Sequence, residues 1–70
     1  MRALTISYKR LWKLLIDRDI KKKDLCLMAG ISHASVAKLG RSENVTTDVL
    51  LKICKALNCD LPDIMEITED

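Results

Sequence analysis

The side chains best suited to bind another molecule lie at positions 32–39, in the sequence SHASVAKL. In a helix, Val36 and Leu39 would share the inward face, because residues three apart are neighbours on a helix surface. The outward face would carry small or hydrogen-bonding side chains: His33, Ala34, Ser35, Ala37 and Lys38. A solvated face usually carries more Glu and Lys, so this composition favours close contact with a hydrogen-bonding partner. An ordinary exposed surface is the alternative.

The sequence gives little support for a catalytic or metal-binding function. His33 is the only histidine, no Cys or His stands at metal-ligand spacing from it, and no serine or cysteine framework for nucleophilic catalysis accompanies it. Cys26, Cys54 and Cys59 form an odd set without a close pair, which argues against a disulfide framework. Cys26 and Cys54 are expected as small core residues, with a metal-binding or redox protein as the remote alternative. We expect no catalytic residue, metal or cofactor.

Positive charge precedes this stretch, and polar groups follow it. Three lysines at 21–23 stand at the start of a predicted helix, where cations oppose the helix macrodipole and only Asp24 offsets them. A phosphate group there would meet free N–H groups, the positive end of the dipole and ammonium groups together. Such a local conflict is expected where function requires positive charge, although a solvated lysine run is the alternative. The loop at 40–45 offers further groups that can reach a phosphate: Arg41, Ser42 and Asn44.

Two short helices joined at Gly30 would hold these groups. Leu25 and Ala29 lie four residues apart on one face of the first helix. Gly30 fits the end of that helix, where a left-handed backbone conformation would strain a residue with a Cβ atom. Ser32 stands where an N-cap hydroxyl can accept a free backbone N–H of the second helix. Two helices joined by a short turn that contains glycine form a helix-turn-helix motif.

The stretch at 22–39 therefore resembles the helix-turn-helix of the Cro and phage-repressor regulators, the Cro/C1-type family. The resemblance is carried by glycine at 30 and by apolar or small residues at 25, 26, 29, 31, 36 and 39, and it extends over about residues 7–65. It implies a compact all-α domain of five helices, in which one helix precedes the motif and two follow it. It also implies sequence-specific binding of double-stranded DNA for transcriptional regulation, with repression as the expected role.

The resemblance also implies which residues contact DNA, because in this family the N-terminal part of the third helix contacts base edges in the major groove. It assigns base contacts to His33, Ala34, Ser35 and Lys38, where Ser35 can also reach the sugar–phosphate backbone. It assigns phosphate contacts to Lys22, Lys23, Ser32, Arg41, Ser42 and Asn44. The chain departs from the family at Gly40, where many relatives carry an acid, and we expect this glycine to end the third helix early.

The flanking segments supply the rest of the predicted core. A first helix from Ser7 to about position 18 has an apolar face at helical spacing: Tyr8, Leu11, Trp12 and Leu15. A fourth helix is expected at about 46–57, and a fifth is expected to start at Asp60. The fifth helix would close the core with three apolar residues: Leu61, Ile64 and Met65. Alternating apolar residues at 1–6 and 65–68 give a weak signal for two paired strands, with a frayed terminus as the alternative.

Composition favours one small domain over the whole chain, 1–70. The sequence is 49% hydrophobic and only 3% aromatic, which suits a helical bundle, and a deep catalytic cleft is hard to build at this size. Residues 1–58 carry twelve Lys or Arg and five Asp or Glu, whereas residues 59–70 carry five acids and no base. A basic body with an acidic tail fits an anionic partner, unless the charges only solvate helix faces. Without a membrane span or signal-peptide core, a cytoplasmic location is expected.

Two kinds of macromolecular partner remain open. The resembling family usually binds paired half-sites as dimers, so a homodimer on DNA is implied. The expected dimer surfaces are the exposed apolar residues of the fifth helix or the terminal strands. The alternative function is a protein-interaction module, such as an antitoxin or anti-repressor, which would bind a partner through the apolar C-terminal surface. Neither a membrane nor a small-molecule ligand is expected as a partner.

Overall fold

The computed structural model describes residues 3–69, which form four α-helices, one 3₁₀ turn and a two-stranded sheet. The elements in chain order are β1 (Leu4–Ser7), α1 (Lys9–Asp17), α2 (Lys22–Ala29), α3 (His33–Gly40), α4 (Thr47–Leu57), the 3₁₀ turn (Leu61–Asp63) and β2 (Glu66–Glu69). The predicted helical fold is confirmed for four helices, but the prediction of a fifth α-helix is wrong. None of the described helices has the length and apolar character needed to cross a membrane.

The core consists of aliphatic side chains contributed by all four helices and the segment that follows them. Six large side chains are less than 2% exposed: Leu11, Leu25, Leu39, Ile53, Leu57 and Ile64. Tyr8 and Leu15 are buried in the same cluster, as the predicted face of the first helix requires. Burial of each such side chain contributes about 1.5–3 kcal/mol to folding. A packed aliphatic cluster therefore compensates for the scarcity of aromatic residues.

The turn between α2 and α3 has the conformation that the sequence predicts. Gly30 adopts φ 67° and ψ 36°, in the left-handed region, and its N–H donates to the Cys26 carbonyl at 2.9 Å. Ser32 is the N-cap of α3, and its Oγ accepts the Ser35 N–H at 3.1 Å. One helix ends and the next begins through contacts within the turn itself, so local residues determine which face of α3 points outward.

The end of α3 differs from the prediction. Gly40 is the last helical residue and has no positive φ, so the expectation that this glycine breaks the helix early is wrong. The positive φ lies at Ser42, with φ 56°, and the Glu43 N–H donates to the Lys38 carbonyl at 2.8 Å. Backbone hydrogen bonds beyond the glycine therefore hold the last turn, and they offset the entropic cost of glycine in a helix.

The segment after α4 is shorter and more exposed than predicted. Asp60 and Asp63 form the expected capping contact, in which the Asp60 N–H donates to the Asp63 carboxylate at 2.9 Å. The helical turn that follows Asp60, Leu61–Asp63, has only three residues, which is too short for an α-helix, and Pro62 lies in its first turn, where a missing N–H is tolerated. Ile64 is fully buried as predicted, whereas Leu61 is 43% exposed and does not close the core.

The terminal strands pair in antiparallel fashion, as the weak alternation signal predicts. Ile6 lies opposite Ile67, and the hydroxyls of Thr5 and Thr68 hydrogen-bond at 2.9 Å. Ser7 belongs to β1 and is not the N-cap of α1, although its Oγ accepts a backbone N–H from the first turn of α1 at 3.3 Å. The first two residues of the predicted strand lie outside the described residues.

One face of this sheet is apolar and exposed. Leu4, Ile6 and Ile67 lie on the same face, because directly paired residues of an antiparallel sheet point the same way. Their side chains are 59%, 38% and 69% exposed, respectively. The sheet therefore exposes an apolar surface near the two chain ends, with Glu69 paired opposite Leu4 and the core residue Tyr8 lining the same hollow.

Candidate nucleic-acid interface

The start of α2 and one side of α3 form an open groove of about 440 Å³. Eight residues line this groove: Lys22, Lys23, Cys26, His33, Val36, Ala37, Gly40 and Arg41. Four of the residues predicted to contact DNA therefore meet here: two lysines of α2, His33, and Arg41 directly after α3. Ala37 and Gly40 add little bulk, so another surface can approach α3 closely along the groove.

A second groove, of about 300 Å³, borders the other side of the exposed face of α3. Six residues line it: Ser35, Lys38, Asn44, Val45, Thr46 and Val49. Three predicted contact residues thus meet the start of α4 in this groove. Ala34 is exposed and lines neither groove, which leaves its methyl group on the open face of α3.

Ser42 lines neither of the two grooves beside α3. It lines two hollows beside the sheet, where its neighbours include Thr5 and Ile6. Asn44 lines one of those hollows as well as the second groove, so it lies between the two surfaces. The structure therefore brings Lys22, Lys23 and Arg41 together beside α3, with Ser32 at the N-cap of α3, and it places Ser42 toward the sheet.

Lys22, at the start of α2, makes a cation–π contact with Trp12 of α1. The Nζ atom of Lys22 lies 4.6 Å from the centroid of the Trp12 ring, which is within cation–π range. Trp12 packs against the core as predicted, yet it is only partly buried. Sequence reasoning missed its contact with Lys22, because no spacing rule relates a residue of α1 to one of α2. The contact restricts where the ammonium group can lie.

Arg41 is partly neutralised by a neighbour that sequence reasoning missed. Its Nε donates to the Glu43 carboxylate in an exposed ion pair. The hydrogen bond from Arg41 lowers the pKa of Glu43, and the positive charges of Arg41 and Lys38 act in the same direction. Glu43 is therefore ionised at neutral pH and competes with any external anion for the guanidinium. The opposite charges two residues apart in RSE were the available signal.

Two serine hydroxyls lie at the N-terminus of α3. Ser32 is exposed and Ser35 is half-buried, and their Oγ atoms lie 3.1 Å apart. Because Ser32 Oγ already accepts the Ser35 N–H, these hydroxyls form part of the helix cap. Each hydroxyl retains hydrogen-bonding capacity toward a molecule outside the helix.

The imidazole of His33 contacts a buried thiol. The Sγ atom of Cys26 in α2 lies 3.6 Å from Nδ1 of His33, the first residue of α3. Cys26 is 7% exposed, which confirms the predicted small core residue, but its contact with the exposed His33 is additional. The pair spans the turn at Gly30, and nothing in the sequence pattern marks it.

Two comparisons with known proteins match this chain. A family model described as the Cro/C1-type helix-turn-helix DNA-binding domain matches residues 10–70. The crystal structure of the transcriptional regulator VanUg, in its Form II, is similar with a TM-score of 0.91 and 50% sequence identity, covering 100% of this chain and 93% of that one. A search of curated proteins found no match.

Proposed function

Because this chain belongs to the family of Cro/C1-type helix-turn-helix DNA-binding domains, we propose that it is a transcriptional repressor that binds double-stranded DNA sequence-specifically. The similarity to a transcriptional regulator at 50% identity supports a regulatory role. In this proposal one domain, residues 1–70, carries the activity, and the helix-turn-helix lies at 22–39. The observation that carries it is the exposed face of α3, which bears small and polar side chains between cations on α2 and Arg41.

We propose that this face of α3 enters the major groove. Base contacts come from four residues: His33, Ala34, Ser35 and Lys38. Lys38 would donate to guanine O6 or N7, and the Ala34 methyl would suit the methyl group of thymine. Small side chains on this face support the proposal, because they allow a helix to approach the base edges closely.

The proposed phosphate contacts surround this helix. They are Lys22, Lys23, Ser32, Arg41, Ser42 and Asn44. Lys22 and Lys23 stand at the N-terminus of α2, where free N–H groups and the helix dipole also attract an anion. The cation–π contact with Trp12 supports a defined position for Lys22. Ser42 would reach a phosphate only from the sheet side, so its contribution is the smallest expected.

We further propose that two copies bind paired half-sites about one helical turn, roughly 34 Å, apart. A two-fold axis between the copies would make the DNA site a palindrome. Exposed apolar side chains at Leu4, Ile6 and Ile67 support self-association. Light scattering on the bound complex tests this proposal: two chains per duplex are expected, and a single chain per duplex would contradict it.

Three lysine variants test the division between base and phosphate contacts. Lys38→Ala should relax the preference for one base pair, costing about 1–3 kcal/mol on the preferred sequence only. Lys22→Ala should weaken binding to all duplexes alike and reduce the slope of log affinity against log salt by about 1 per copy. Lys55→Ala is the matched control, because Lys55 lies on α4 and lines neither groove. In vitro selection of bound DNA supplies the duplexes for fluorescence anisotropy.

The alternative is a protein-interaction module such as an antitoxin or anti-repressor. The exposed apolar face of the sheet favours it, since such a face can bind a protein partner. Absence of binding to any duplex at 50 mM salt, with a folded protein, would contradict the DNA-binding proposal and favour this alternative. Unchanged affinity and sequence preference in both Lys22→Ala and Lys38→Ala would show that the proposed face is wrong.

A further inference from the structure

We propose that Cys26 is a positioning residue for base recognition, because its thiol orients the His33 imidazole so that Nε2–H points toward the DNA bases. This inference rests on the proposed DNA-binding function and specifies which base one of its contact residues prefers. It starts from one contact, the 3.6 Å separation between Cys26 Sγ and His33 Nδ1 across the turn.

The positions of the two residues make Cys26 the fixed member of the pair. Cys26 lies on α2 and is 7% exposed, so its side chain has little room to move at the floor of the groove that it lines. His33 is exposed and is the first residue of α3, where its ring would otherwise rotate freely. The contact therefore directs Nδ1 inward, toward α2, and leaves Nε2 as the ring nitrogen that faces outward.

The chemistry of the pair also determines the proton position. A neutral imidazole has one donor and one acceptor nitrogen, and a thiol is a weak donor and a weak acceptor. The favourable arrangement is S–H donating to the Nδ1 lone pair, because nitrogen accepts hydrogen bonds better than sulfur does. The ring proton then resides on Nε2, so His33 presents a hydrogen-bond donor at the surface of α3.

A donor at this position selects among base edges. In the major groove, guanine offers the acceptors N7 and O6, whereas cytosine offers its N4 amino group, which is a donor. We therefore expect His33 to favour guanine over cytosine at the position that it contacts. Lys22, Lys23 and Arg41 line the same groove and are the proposed phosphate contacts, which leaves His33 as the proposed base contact of this groove.

Base preference in the Cys26 variants is the first test. Binding is measured to four duplexes that differ only at the base pair whose preference is lost in His33→Ala. Cys26→Ala should reduce the guanine-over-cytosine ratio by about 3- to 10-fold, the range of one neutral hydrogen bond. Cys26→Ser should retain most of the ratio, because a hydroxyl can donate to Nδ1 in the same way. The double variant Cys26→Ala with His33→Ala should lose no more than His33→Ala alone.

A purely structural role for Cys26 predicts a different pattern. Loss of core volume in Cys26→Ala would lower the melting temperature and weaken all four duplexes equally, with the base ratio unchanged. That result would overturn the inference, as would a Cys26→Ser protein that loses the ratio as fully as Cys26→Ala. All variants are compared at a temperature where thermal melts show them folded.

A second measurement does not depend on DNA. His33 is the only histidine, so a long-range ¹H–¹⁵N spectrum of the imidazole needs no assignment. At a pH where the ring is neutral, the wild-type protein should show the tautomer protonated on Nε2, and the Nδ1–H tautomer would overturn the inference. A protein that binds DNA specifically but whose base preferences are unaffected by His33→Ala would refute this inference alone. A protein that binds no duplex refutes the proposed function.

Discussion

The two outward surfaces of this molecule differ in chemistry. The helix-turn-helix surface at α2 and α3 carries lysines, hydroxyls and an imidazole around small side chains. The sheet at the chain ends instead exposes Leu4, Ile6 and Ile67, with acidic residues on β2. An anion fits the first surface and an apolar surface fits the second. Binding of DNA and self-association can therefore occur on different parts of a chain of only 70 residues.

The salt dependence of DNA binding should give the largest difference between the two surfaces. In a dimer, Lys22, Lys23 and Arg41 from two copies would neutralise about six phosphates. Affinity should then fall by about 10³-fold between 50 and 200 mM salt, because bound cations are released from DNA. Anisotropy titrations at four salt concentrations measure the slope.

The sheet provides the control for this slope. Ile67→Thr changes an exposed residue of β2 and no charge, so the slope per bound chain should stay the same. A slope near zero for the wild-type protein would contradict the account of the cationic surface.

Substitutions at two residues of the C-terminal segment, Leu61 and Ile64, test the distinction between core and surface. Ile64→Ala should lower the free energy of unfolding by about 2–5 kcal/mol, because Ile64 is fully buried. Leu61→Ala should change it by less than about 1 kcal/mol, because Leu61 is 43% exposed. Urea denaturation measures both values, with Ile64→Val as the milder variant if Ile64→Ala fails to fold. Equal losses at the two positions would contradict the burial described here.

The helix-turn-helix was predictable because its signals are local and agree with each other. Gly30 supplies the left-handed turn, Ser32 caps α3, and Leu25 and Leu39 fall on inward faces. Each signal acts within a few residues, so the sequence alone predicts which face of α3 points outward. Most of the predicted contact residues lie around that face for this reason, although their contacts with DNA stay predictions.

What the sequence did not predict depends on distant or competing interactions. Alternation of apolar residues predicts the strands, but it cannot tell that Ile67 faces outward, because the helices already fill the core. The three-residue turn at Leu61–Asp63 is too short for an α-helix, although its capping residues suit one. The contacts of Trp12 with Lys22 and of Cys26 with His33 join different helices, and sequence spacing does not encode them.

Alanine substitutions at the two glycines should change the free energy of unfolding in opposite directions, and by less than Ile64→Ala does. Gly30→Ala should destabilise the protein by about 1–2 kcal/mol, because alanine is strained at φ 67° although space is available for its Cβ. Gly40→Ala should stabilise it by up to about 0.5–1 kcal/mol, because Gly40 is helical and its Cβ would also meet open space. Urea denaturation of both variants measures the difference. A stabilising Gly30→Ala would contradict the left-handed turn.

Removal of the ion pair between Arg41 and Glu43 should give the smallest change, and this change is in DNA affinity. Glu43→Gln should tighten DNA binding by about two- to fivefold, because Arg41 no longer pairs with a carboxylate and is free to contact a phosphate. The hydrogen bond from Arg41 lowers the pKa of Glu43, so the competing charge is present at neutral pH and its removal is felt there. Asp17→Asn is the control and should leave affinity unchanged, because Asp17 ends α1 and lines neither groove beside α3. Weaker binding in Glu43→Gln would mean that Glu43 instead orders Arg41 for its contact.

The most direct measurement of the central claim is a titration of the ¹⁵N-labelled protein with a selected duplex at 50 mM salt, followed through the amide resonances. The largest changes should fall at residues 22–23, 32–38 and 41, on α2, α3 and the residue that follows α3. Any changes at residues 4–7 and 66–69 should be smaller and should depend on protein concentration, as self-association would require. Changes confined to the sheet, with the resonances of α3 unmoved, would contradict the assignment of α3 as the DNA-binding surface.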